Sequence, residues 1–497
     1  MTSKPLHLSL GPLDHMLPRH YARFVIYLSL KPGISYEAVF AELQRGLQKT
    51  FCQLPWLNGK VFWQSRKSAG WRPGQLEIRY APVESDGAAP WQFKYKELDT
   101  DISFDELKET GFPTDAFDDE ELLWAPFAPD LDKGADVFIA QANFIRGACI
   151  LCASIFHSVA DGMADVSIFK QWADHCQGLP TGETNNTDLP SGCADRGLLE
   201  NLWEKYRSAK PVAEMENAKT WSIVGLDAPG RGHTTEEQGS ADEAEKISDK
   251  SKRYQQSAKK MRDKTMLRSR IFYVSPDNFV ALKRECAQEN RLVSGNDAIS
   301  ALIWRGLIKA RTQANRDEKT VEADNGESRL EMTVDGRPYL SLPPSYLGNV
   351  VLLCRARLPC STLASNDTSL TTVAQYLRES TSGINPETAL DAYSLARGLK
   401  SYRRFDERST PIAGARMLIT SLLAMPASSM GFGDNGVFDN GGKAEAIRPL
   451  MGALNRYFRI CWVLPPTAYG GVEIVFNLSD AELECLLQDR EFGKYAM

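Results

Sequence analysis

Apolar and polar positions follow two different patterns along the first third of the chain, one typical of strands and one typical of helices. Short apolar runs rich in aromatic and β-branched residues predict strands, and apolar positions repeating at helical spacing predict amphipathic helices. The predicted strands are residues 24–30, 62–63, 76–80, 136–144 and 148–156, the last two forming a hairpin. The predicted helices are residues 35–51, which Ser35 caps, and residues 161–176.

The pattern weakens after residue 178 and returns near residue 266. The intervening residues are rich in Gly, Pro, Ser, Thr and charge, apart from a short apolar pattern at residues 198–206. Such a stretch predicts a crossover or linker, mobile in part near residues 230–251. Beyond it, strands are predicted at residues 270–274, 350–357, 457–464 and 473–478, and helices at 276–290, 294–309 and 479–490.

The alternation of strands and helices predicts an α/β chain with two halves. A chain of 497 residues is too long for a single core. We therefore predict an N-terminal domain at residues 1–178, a crossover region at residues 179–265 and a C-terminal domain at residues 266–497.

Composition narrows the class of partner. Hydrophobic residues make up 43% and charged residues 25%, which is typical of a soluble globular protein. The net charge of −6 argues against nucleic acid or an anionic membrane as a partner. No apolar run is long enough to span a membrane, and the N-terminus lacks the apolar core of a signal peptide. We expect a cytoplasmic protein.

One short segment carries most of the candidate chemistry. The apolar run at residues 148–156 ends on His157, and Asp161-Gly162 follow where the next helix begins. A neutral imidazole fixed at a strand end can take the proton from an alcohol or amine that attacks an acyl carbon. A lone histidine at such a place is nevertheless more often structural, and Asp161 is also a suitable helix N-cap.

The sequence indicates no metal site. The ten cysteines lack the spacing of metal ligands. Cys149 and Cys152 form a Cys-x-x-Cys pair, but they lie in a predicted strand, where packing is the favoured role. His15 and His20 are similarly expected to have a packing or surface role, and no Gly-x-Ser-x-Gly motif of a serine hydrolase occurs.

Five stretches together resemble the BAHD acyltransferases, and in particular their fungal branch typified by trichothecene 3-O-acetyltransferase. His157 to Gly162 match the family's His-x-x-x-Asp-Gly, and Asp335 and Arg337 match its Val-Asp-x-Arg. The five stretches are residues 10–14, 157–162, 294–305, 334–349 (with an internal gap) and 431–449 (with an internal gap). They occur in the family's order and run from one end of the chain to the other.

The resemblance implies a two-domain, chloramphenicol-acetyltransferase-like fold with mixed sheets, a long crossover loop and a central channel between the domains. It implies direct acyl transfer from acyl-CoA, most simply acetyl-CoA, to an alcohol or amine, with His157 as general base and no metal or permanently bound cofactor. Asp161, Gly162 and Arg337 would support the loop that carries His157. Thr420 would contact the oxyanion or the acceptor. A monomer is the default state for the family.

Two positions depart from the family pattern. Gly431-Phe432-Gly433 stand where the family has Asp-Phe-Gly, unless Asp439-Asn440-Gly441 is the counterpart after a short gap. Leu422 replaces the tryptophan of the family's Thr-Ser-Trp, which begins here at Thr420. In the family the first motif is mainly structural, so its change concerns loop geometry, whereas the second concerns the acceptor pocket.

Three functions stay open at this point. The leading interpretation is an acyl-CoA-dependent acyltransferase that acetylates a hydroxyl of a fungal secondary metabolite. A condensation-type enzyme would take its acyl group from a carrier-protein thioester, but such enzymes usually have a second histidine where this chain has Phe156. A third alternative is the same fold used for isomerisation, cyclisation or simple binding of a metabolite.

Overall fold

The fold is known from a computed structural model of the chain. The structure describes residues 5–84, 87–177, 189–190, 192–206, 218–228, 267–288, 292–314, 326–405, 415–425, 430–433, 436–467 and 470–497. The predicted mobile stretch at residues 230–251 lies outside these residues.

Strands and helices alternate along the described chain, as an α/β class requires. The strands are β1 (Leu6–Ser9), β2 (Tyr21–Ser29), β3 (Lys60–Trp63), β4 (Leu76–Tyr80), β5 (Phe93–Glu97), β6 (Ala135–Asp136), β7 (Phe138–Ile145), β8 (Ala148–Phe156), β9 (Arg268–Val274), β10 (Glu327–Asp335), β11 (Val351–Pro359), β12 (Arg416–Ser421), β13 (Ala446–Pro449), β14 (Ile460–Val463) and β15 (Val472–Leu478).

The helices frame these strands. They are α1 (Tyr36–Gln53), α2 (Phe104–Glu109), α3 (Asp119–Leu122), α4 (Gly162–Cys176), α5 (Gly197–Tyr206), α6 (Ala218–Ile223), α7 (Pro276–Cys286), α8 (Gly295–Ala314), α9 (Cys360–Ala364), α10 (Leu370–Ser382), α11 (Pro386–Gly398), α12 (Leu454–Tyr457), α13 (Asp480–Gln488) and α14 (Arg490–Gly493).

A five-stranded sheet with the order β13-β2-β8-β7-β5 forms the centre of the N-terminal half. β2 and β8 pair antiparallel from Tyr21 opposite Phe156 to Ser29 opposite Ala148. All nine residues of β8 are buried, so both faces of the sheet are covered at this strand. Helices α1 and α4 cover one of these faces. The two helices lie very close, since a Cβ on Gly46 would be 2.3 Å from the sulfur of Cys176.

A six-stranded sheet forms the centre of the C-terminal half, with the order β11-β10-β12-β14-β15-β9. Its β10–β12 and β12–β14 pairs are parallel and the others are antiparallel, so the sheet is mixed. Helix α8 is buried along most of its length against this sheet. A smaller sheet, β1-β4-β3-β6, lies in the N-terminal half. The predicted α/β fold of two halves with mixed sheets is confirmed.

Helix starts predicted from capping residues are present in the structure. Ser35 caps α1 by accepting a hydrogen bond from Ala38 N at 3.2 Å. Asp161 caps α4 in the same way, from Ala164 N at 3.1 Å. At the start of α8, the side chains of Ser294 and Asp297 each accept a hydrogen bond from the backbone N–H of the other residue, as in a capping box.

Three expectations need correction. The strand predicted at residues 457–464 is shorter, because Leu454–Tyr457 form a helix and the strand begins at Ile460. The helix predicted at residues 276–290 ends at Cys286. β13 belongs by sequence to the predicted C-terminal domain, yet it pairs with β2 at the edge of the N-terminal sheet.

The predicted crossover region also contains packed structure. Of its described residues, Leu199 and Trp203 on α5 are buried, as is Trp221 on α6. Their apolar side chains join the hydrophobic core of the C-terminal half. No helix in the described part of the chain is long and apolar enough to cross a membrane.

Candidate functional site

His157 lies directly after β8, where the chain turns toward α4. Its backbone N–H donates to the carbonyl of His20 at 2.9 Å, which continues the pairing of β8 with the segment before β2. Its ring Nδ1 is 3.3 Å from the carbonyl oxygen of Ala160. Because a carbonyl can only accept, this contact assigns the proton to Nδ1 and leaves a lone pair on Nε2.

The surroundings of His157 favour the neutral ring. Burial lowers the pKa of His157 below its ordinary value of 6.5, while the Ala160 carbonyl and the charge of Asp161 act in the opposite direction. Part of the residue stays accessible. A neutral imidazole with an unprotonated Nε2 is the form that can accept a proton.

Asp161 directs both of its oxygens away from His157. Oδ1 accepts from Ala164 N and from Arg337 Nη2 at 2.8 Å, and Oδ2 accepts from Arg337 Nη1 and from Val350 N, both at 3.0 Å. Asp161 and Arg337 form a bidentate ion pair. Asp161 is therefore a helix cap and an ion-pair partner at once.

Arg337 ties the His157 loop to the C-terminal half. The side chain is 2% exposed, and it also donates to the carbonyls of Tyr346 and Gly348. Burial lowers the pKa of Arg337, but the charges and hydrogen bonds of Asp161 and Asp335 together outweigh that effect, so the pKa lies above its ordinary value. The guanidinium stays charged in a site where it is almost fully covered.

A second polar network holds the same loop, and its central residue, Arg196, was missed by the sequence reasoning. Arg196 donates through Nη2 to the carbonyl of Val159 at 2.7 Å and through Nε to Asp14 at 3.0 Å. Asp14 accepts from the backbone N–H of Asn349, whose side chain donates to the carbonyl of His157 at 3.3 Å. Arg196 lies in the predicted crossover region, where no local pattern marks it.

His20 lies closer to His157 than expected. The two ring centroids are 5.8 Å apart, and the His20 ring stacks on Phe127 at 4.3 Å. Burial, and then the neighbouring His157, lower the pKa of His20 to about 3. The expected packing role applies to His15 as well, whose Nδ1 contacts Gly11 O and whose Nε2 accepts from Leu76 N.

Thr420 lies near the end of β12, opposite Trp462 on β14. The end of that strand reaches the start of α4, since a Cβ on Gly162 would lie 2.8 Å from Met425 and 3.9 Å from Leu422. Thr420 itself makes no side-chain hydrogen bond to the residues that the structure describes. The structure therefore brings its strand, rather than its hydroxyl, to the His157 loop.

Gly431-Phe432-Gly433 lie at the opposite end of α4. The carbonyl of Gly431 accepts from Gln177 at 2.6 Å, and the Phe432 ring packs edge-on against Trp172. Residues 431–433 bond back to residues 441–443, so both candidate counterparts of the family motif share one loop. A helix of the length of α4 separates this loop from His157 by about 20 Å.

Within the described ranges, no cluster of three or more His, Cys, Asp or Glu side chains is placed to hold a metal ion. Cys149 and Cys152 are both buried and unbonded.

Comparison with known proteins agrees with the resemblance to acyltransferases found in the sequence. Residues 21–176 match the trichothecene 3-O-acetyltransferase-like N-terminal domain, and residues 212–492 match the Transferase family. The fold resembles that of F. graminearum TRI101 in complex with coenzyme A and deoxynivalenol, with a TM-score of 0.72, 18% identity and 99% of each chain covered.

Three relatives align with nearly the whole chain. The Aspergillus fumigatus isocyanide synthase-NRPS hybrid crmA is 31% identical over 98% of this chain and 31% of its own length. The Penicillium crustosum enoyl-CoA isomerase/hydratase claC is 26% identical over 99% of this chain and 51% of its own length. The Penicillium roqueforti eremophilane O-acetyltransferase ORF8 is 25% identical over 99% and 98%.

The chain thus spans about a third and about half of the length of the first two relatives. The match to the Transferase family covers more than half of the chain. The chain belongs to the Transferase family, as a BAHD-type protein of the fungal trichothecene 3-O-acetyltransferase branch.

Proposed function

We propose that the protein is an acyl-CoA-dependent acyltransferase that transfers an acetyl group to a hydroxyl of a small fungal metabolite. One observation carries the proposal above the others. His157 presents an unprotonated Nε2 from a loop that Asp161, Arg337 and Arg196 hold on both sides. Such a fixed neutral imidazole is suited to general-base catalysis and needs no metal.

The proposed reaction is a direct transfer through a tetrahedral intermediate. Nε2 of His157 takes the proton from the acceptor hydroxyl as its oxygen attacks the thioester carbonyl. The intermediate then collapses, the carbon–sulfur bond breaks, and the imidazolium returns its proton to the leaving thiolate. The products are the ester and free coenzyme A, and no acyl-enzyme forms.

The surrounding residues act on the position of His157 rather than on the substrate. Asp161 and Arg337 fix the loop, and Gly162 admits the close approach of Met425. We assign Thr420 to contact with the oxyanion or acceptor, because its strand ends beside the first residue of α4. Gly431, Phe432 and Gly433 shape a loop at the far end of that helix.

The relatives support the acyl donor and the class of acceptor. ORF8 is an eremophilane O-acetyltransferase of matching length. TRI101 binds coenzyme A together with deoxynivalenol in a chain of the same fold. We propose by analogy that this chain binds acetyl-CoA as a co-substrate and an alcohol acceptor between its two halves. We also propose that it acts as a cytoplasmic monomer without a permanently bound cofactor.

The experiment is a thiol-release assay with acetyl-CoA and a panel of sesquiterpenoid alcohols, followed by mass spectrometry of the products. We expect release of free coenzyme A in equal amount to an acetylated alcohol. Conversion of a metabolite to an isomer without thiol release would instead support the non-acyl alternative. One relative, claC, is an enoyl-CoA isomerase/hydratase.

A second candidate function has one observation in its favour. The chain aligns over its whole length with a third of crmA, a hybrid that includes a nonribosomal peptide synthetase. A carrier-protein thioester would then replace acyl-CoA as the donor. Phe156 at the position before His157 argues against it, since condensation-type enzymes usually have a second histidine there. Faster transfer from an acetylated carrier protein than from acetyl-CoA would favour this candidate.

A further inference from the structure

Asp165 is a buried acid that the proposed mechanism does not use. It lies on the first turn of α4, eight residues after His157, and is 1% exposed. Neither carboxyl oxygen has a hydrogen-bond partner among the residues that the structure describes. Burying an unpaired polar group is costly, so native proteins usually supply a protein, water or ligand partner for it.

A small, partly open cavity adjoins Asp165 between the two halves of the chain, and about 30 Å³ of it is free for the centres of water-sized groups. Its walls come from β2, α4 and β13 and from the segments that follow β12 and β14. Six of the residues that line this Asp165 pocket are Phe24, Ile26, Gly162, Asp165, Leu422 and Met425. Apart from Asp165, the described side chains that line the pocket are all apolar, and Gly162 contributes only its backbone.

The chemistry of the lining limits what can fill the pocket. The volume would hold about two water molecules, but a buried water needs two to four polar partners, and Asp165 is the one polar side chain on the described lining. An occupant that brings its own apolar surface satisfies the walls better than water does. Burial, and then the charge of Asp161, raise the pKa of Asp165 well above its ordinary value. The neutral acid can donate a hydrogen bond.

We propose that the Asp165 pocket binds a short aliphatic group bearing one oxygen atom, and that the carboxyl of Asp165 forms a hydrogen bond with that oxygen. The carboxyl oxygens are covered in the ligand-free chain, so the side chain turns toward the void when the group binds. That rotation breaks no hydrogen bond to the described residues. The group belongs either to the acyl acceptor or to the acyl chain, an assignment that rests on the proposed function.

The test measures binding and needs no turnover, so it stands apart from the proposed transfer. Saturation-transfer NMR on the full chain compares two probes of the same shape, 2-propanol and isopropylammonium. Wild-type protein and Asp165→Asn should both bind 2-propanol in preference to the cation, because Asn keeps a donor of similar size. Asp165→Leu should bind 2-propanol about tenfold more weakly, since a buried acceptor left without a donor loses affinity of that order.

Three further measurements complete the test. Asp174→Asn removes an acid from the same helix, where it pairs with Lys170 away from the pocket, and should leave probe binding unchanged. Infrared difference spectra should show the carbonyl stretch of a neutral carboxylic acid in the wild type and lose it in Asp165→Asn. Displacement of 2-propanol by 3-hydroxybutyryl-CoA, but not by acetyl-CoA, assigns the group to the acyl chain. If 2-propanol stays bound in the presence of both CoA esters, the group belongs to the acceptor.

Several results would overturn the inference. Equal 2-propanol binding by wild type and Asp165→Leu would remove the hydrogen bond. A further contrary result is a wild type that binds isopropylammonium more tightly than 2-propanol, with Asp165→Asn binding the cation as weakly as Asp165→Leu does. That result would show a charged carboxylate that pairs with a cation in place of a neutral acid. Absence of 2-propanol binding to the wild type would remove the pocket. Asp165→Leu should keep or raise the melting temperature, because it removes an unpaired buried acid, so a misfolded variant would also count against us.

Discussion

At the scale of single residues, the site depends on which ring nitrogen of each imidazole carries the proton. The Ala160 carbonyl fixes the proton of His157 on Nδ1, and the protein around the ring disfavours a second proton. His20 is held in a similar way by the carbonyl of Tyr21 at 3.1 Å. Two neutral rings therefore lie side by side, and only the first of them is on the loop that Asp161 and Arg337 fix.

The first prediction concerns the proposed base. His157→Ala should lower kcat for transfer by about 10²–10⁴-fold, the usual contribution of a positioned base. Because burial lowers the pKa of His157, the basic form persists below pH 6.5. The wild-type kcat/KM should therefore rise with pH, reach its plateau below pH 6.5 and stay flat above it.

The control is His7→Ala at an exposed position of β1, which should leave kcat unchanged. Steady-state thiol release from acetyl-CoA between pH 4.5 and 8 measures all three proteins. An acidic limb centred above pH 6.5, or a His157→Ala variant within tenfold of wild type, would exclude His157 from the role of base.

The second prediction concerns Gly431, where the family has aspartate. A Cβ at this position would lie 3.1 Å from the carbonyl oxygen of Gly441. Gly431→Asp should therefore destabilise the protein by about 1–3 kcal/mol, as overpacking does. It should leave kcat/KM of the folded fraction within a few-fold, because the loop lies at the far end of α4 from His157.

Gly493→Asp is the matched control, since a Cβ there meets no atom within 4 Å. Urea denaturation and steady-state kinetics on the three proteins separate the two effects. A loss of several orders of magnitude in kcat/KM at unchanged stability would show that Gly431 acts on the chemistry.

At the scale of elements, local signals and long-range pairing differ in what a sequence can reveal. The starts of α1 and α4, the β7–β8 hairpin and the α8 capping box follow from residues within a few positions of each other, and all were predictable. β13 was not, because a four-residue strand is specified by its partner β2, more than 400 residues away. Helices α10 and α11 were also missed, although both are well capped.

The candidate site divides along the same line. His157, Asp161 and Arg337 could be placed because they belong to short patterns of a known family. Arg196 could not, since its partners Val159 and Asp14 lie far away in sequence and its own neighbourhood reads as linker.

The third prediction is a double-mutant cycle across the elements that Asp161 and Arg337 join. Arg337→Met leaves Asp161 buried without its ion-pair partner and should cost about 3–5 kcal/mol. Asp161→Asn should cost less, because Arg337 keeps its ion pair with Asp335 at 2.9 Å. Asn keeps the N-cap of α4, which isolates the ion pair from the helix start. The double variant should lose clearly less than the sum of the single losses. Urea denaturation that gives additive losses within about 0.5 kcal/mol would show that the pair has no net coupling.

The fourth prediction assigns a positioning role to Arg196. Arg196→Met frees the carbonyl of Val159 and so loosens the loop that carries His157. A displacement of about 1 Å can cost about 10²-fold, so kcat should fall by about 10–100-fold with little change in KM for acetyl-CoA. Arg45→Met, which removes an exposed partner of Glu42, is the control. A lower melting temperature with unchanged kcat would reduce Arg196 to a purely structural tie.

At the scale of the whole molecule, the two halves are interlocked. β13 completes the N-terminal sheet, while Arg448 on that strand forms a bidentate pair with Glu473 on β15 of the other sheet, at 2.7 and 2.9 Å. Arg448 also donates to the carbonyls of Gly111 and Phe112. The His157 loop likewise has neighbours from the crossover region (Arg196) and from the C-terminal half (Arg337, Asn349 and Val350).

This interlocking leads to the last prediction, which tests the boundaries drawn from sequence alone. A fragment of residues 1–228 would expose the β2 edge that β13 covers, together with apolar residues such as Phe24 that pack against Trp462. A bare sheet edge beside exposed apolar surface promotes aggregation rather than folding. We expect neither this fragment nor residues 267–497 to give a cooperative thermal transition alone, whereas the two expressed together should restore one. Fusing residues 430–452 to the first fragment through a flexible linker supplies β13 and should recover part of the transition. A cooperative transition of fragment 1–228 near the melting temperature of the full chain, measured by circular dichroism, would show that the N-terminal half folds independently and that β13 is an accessory strand.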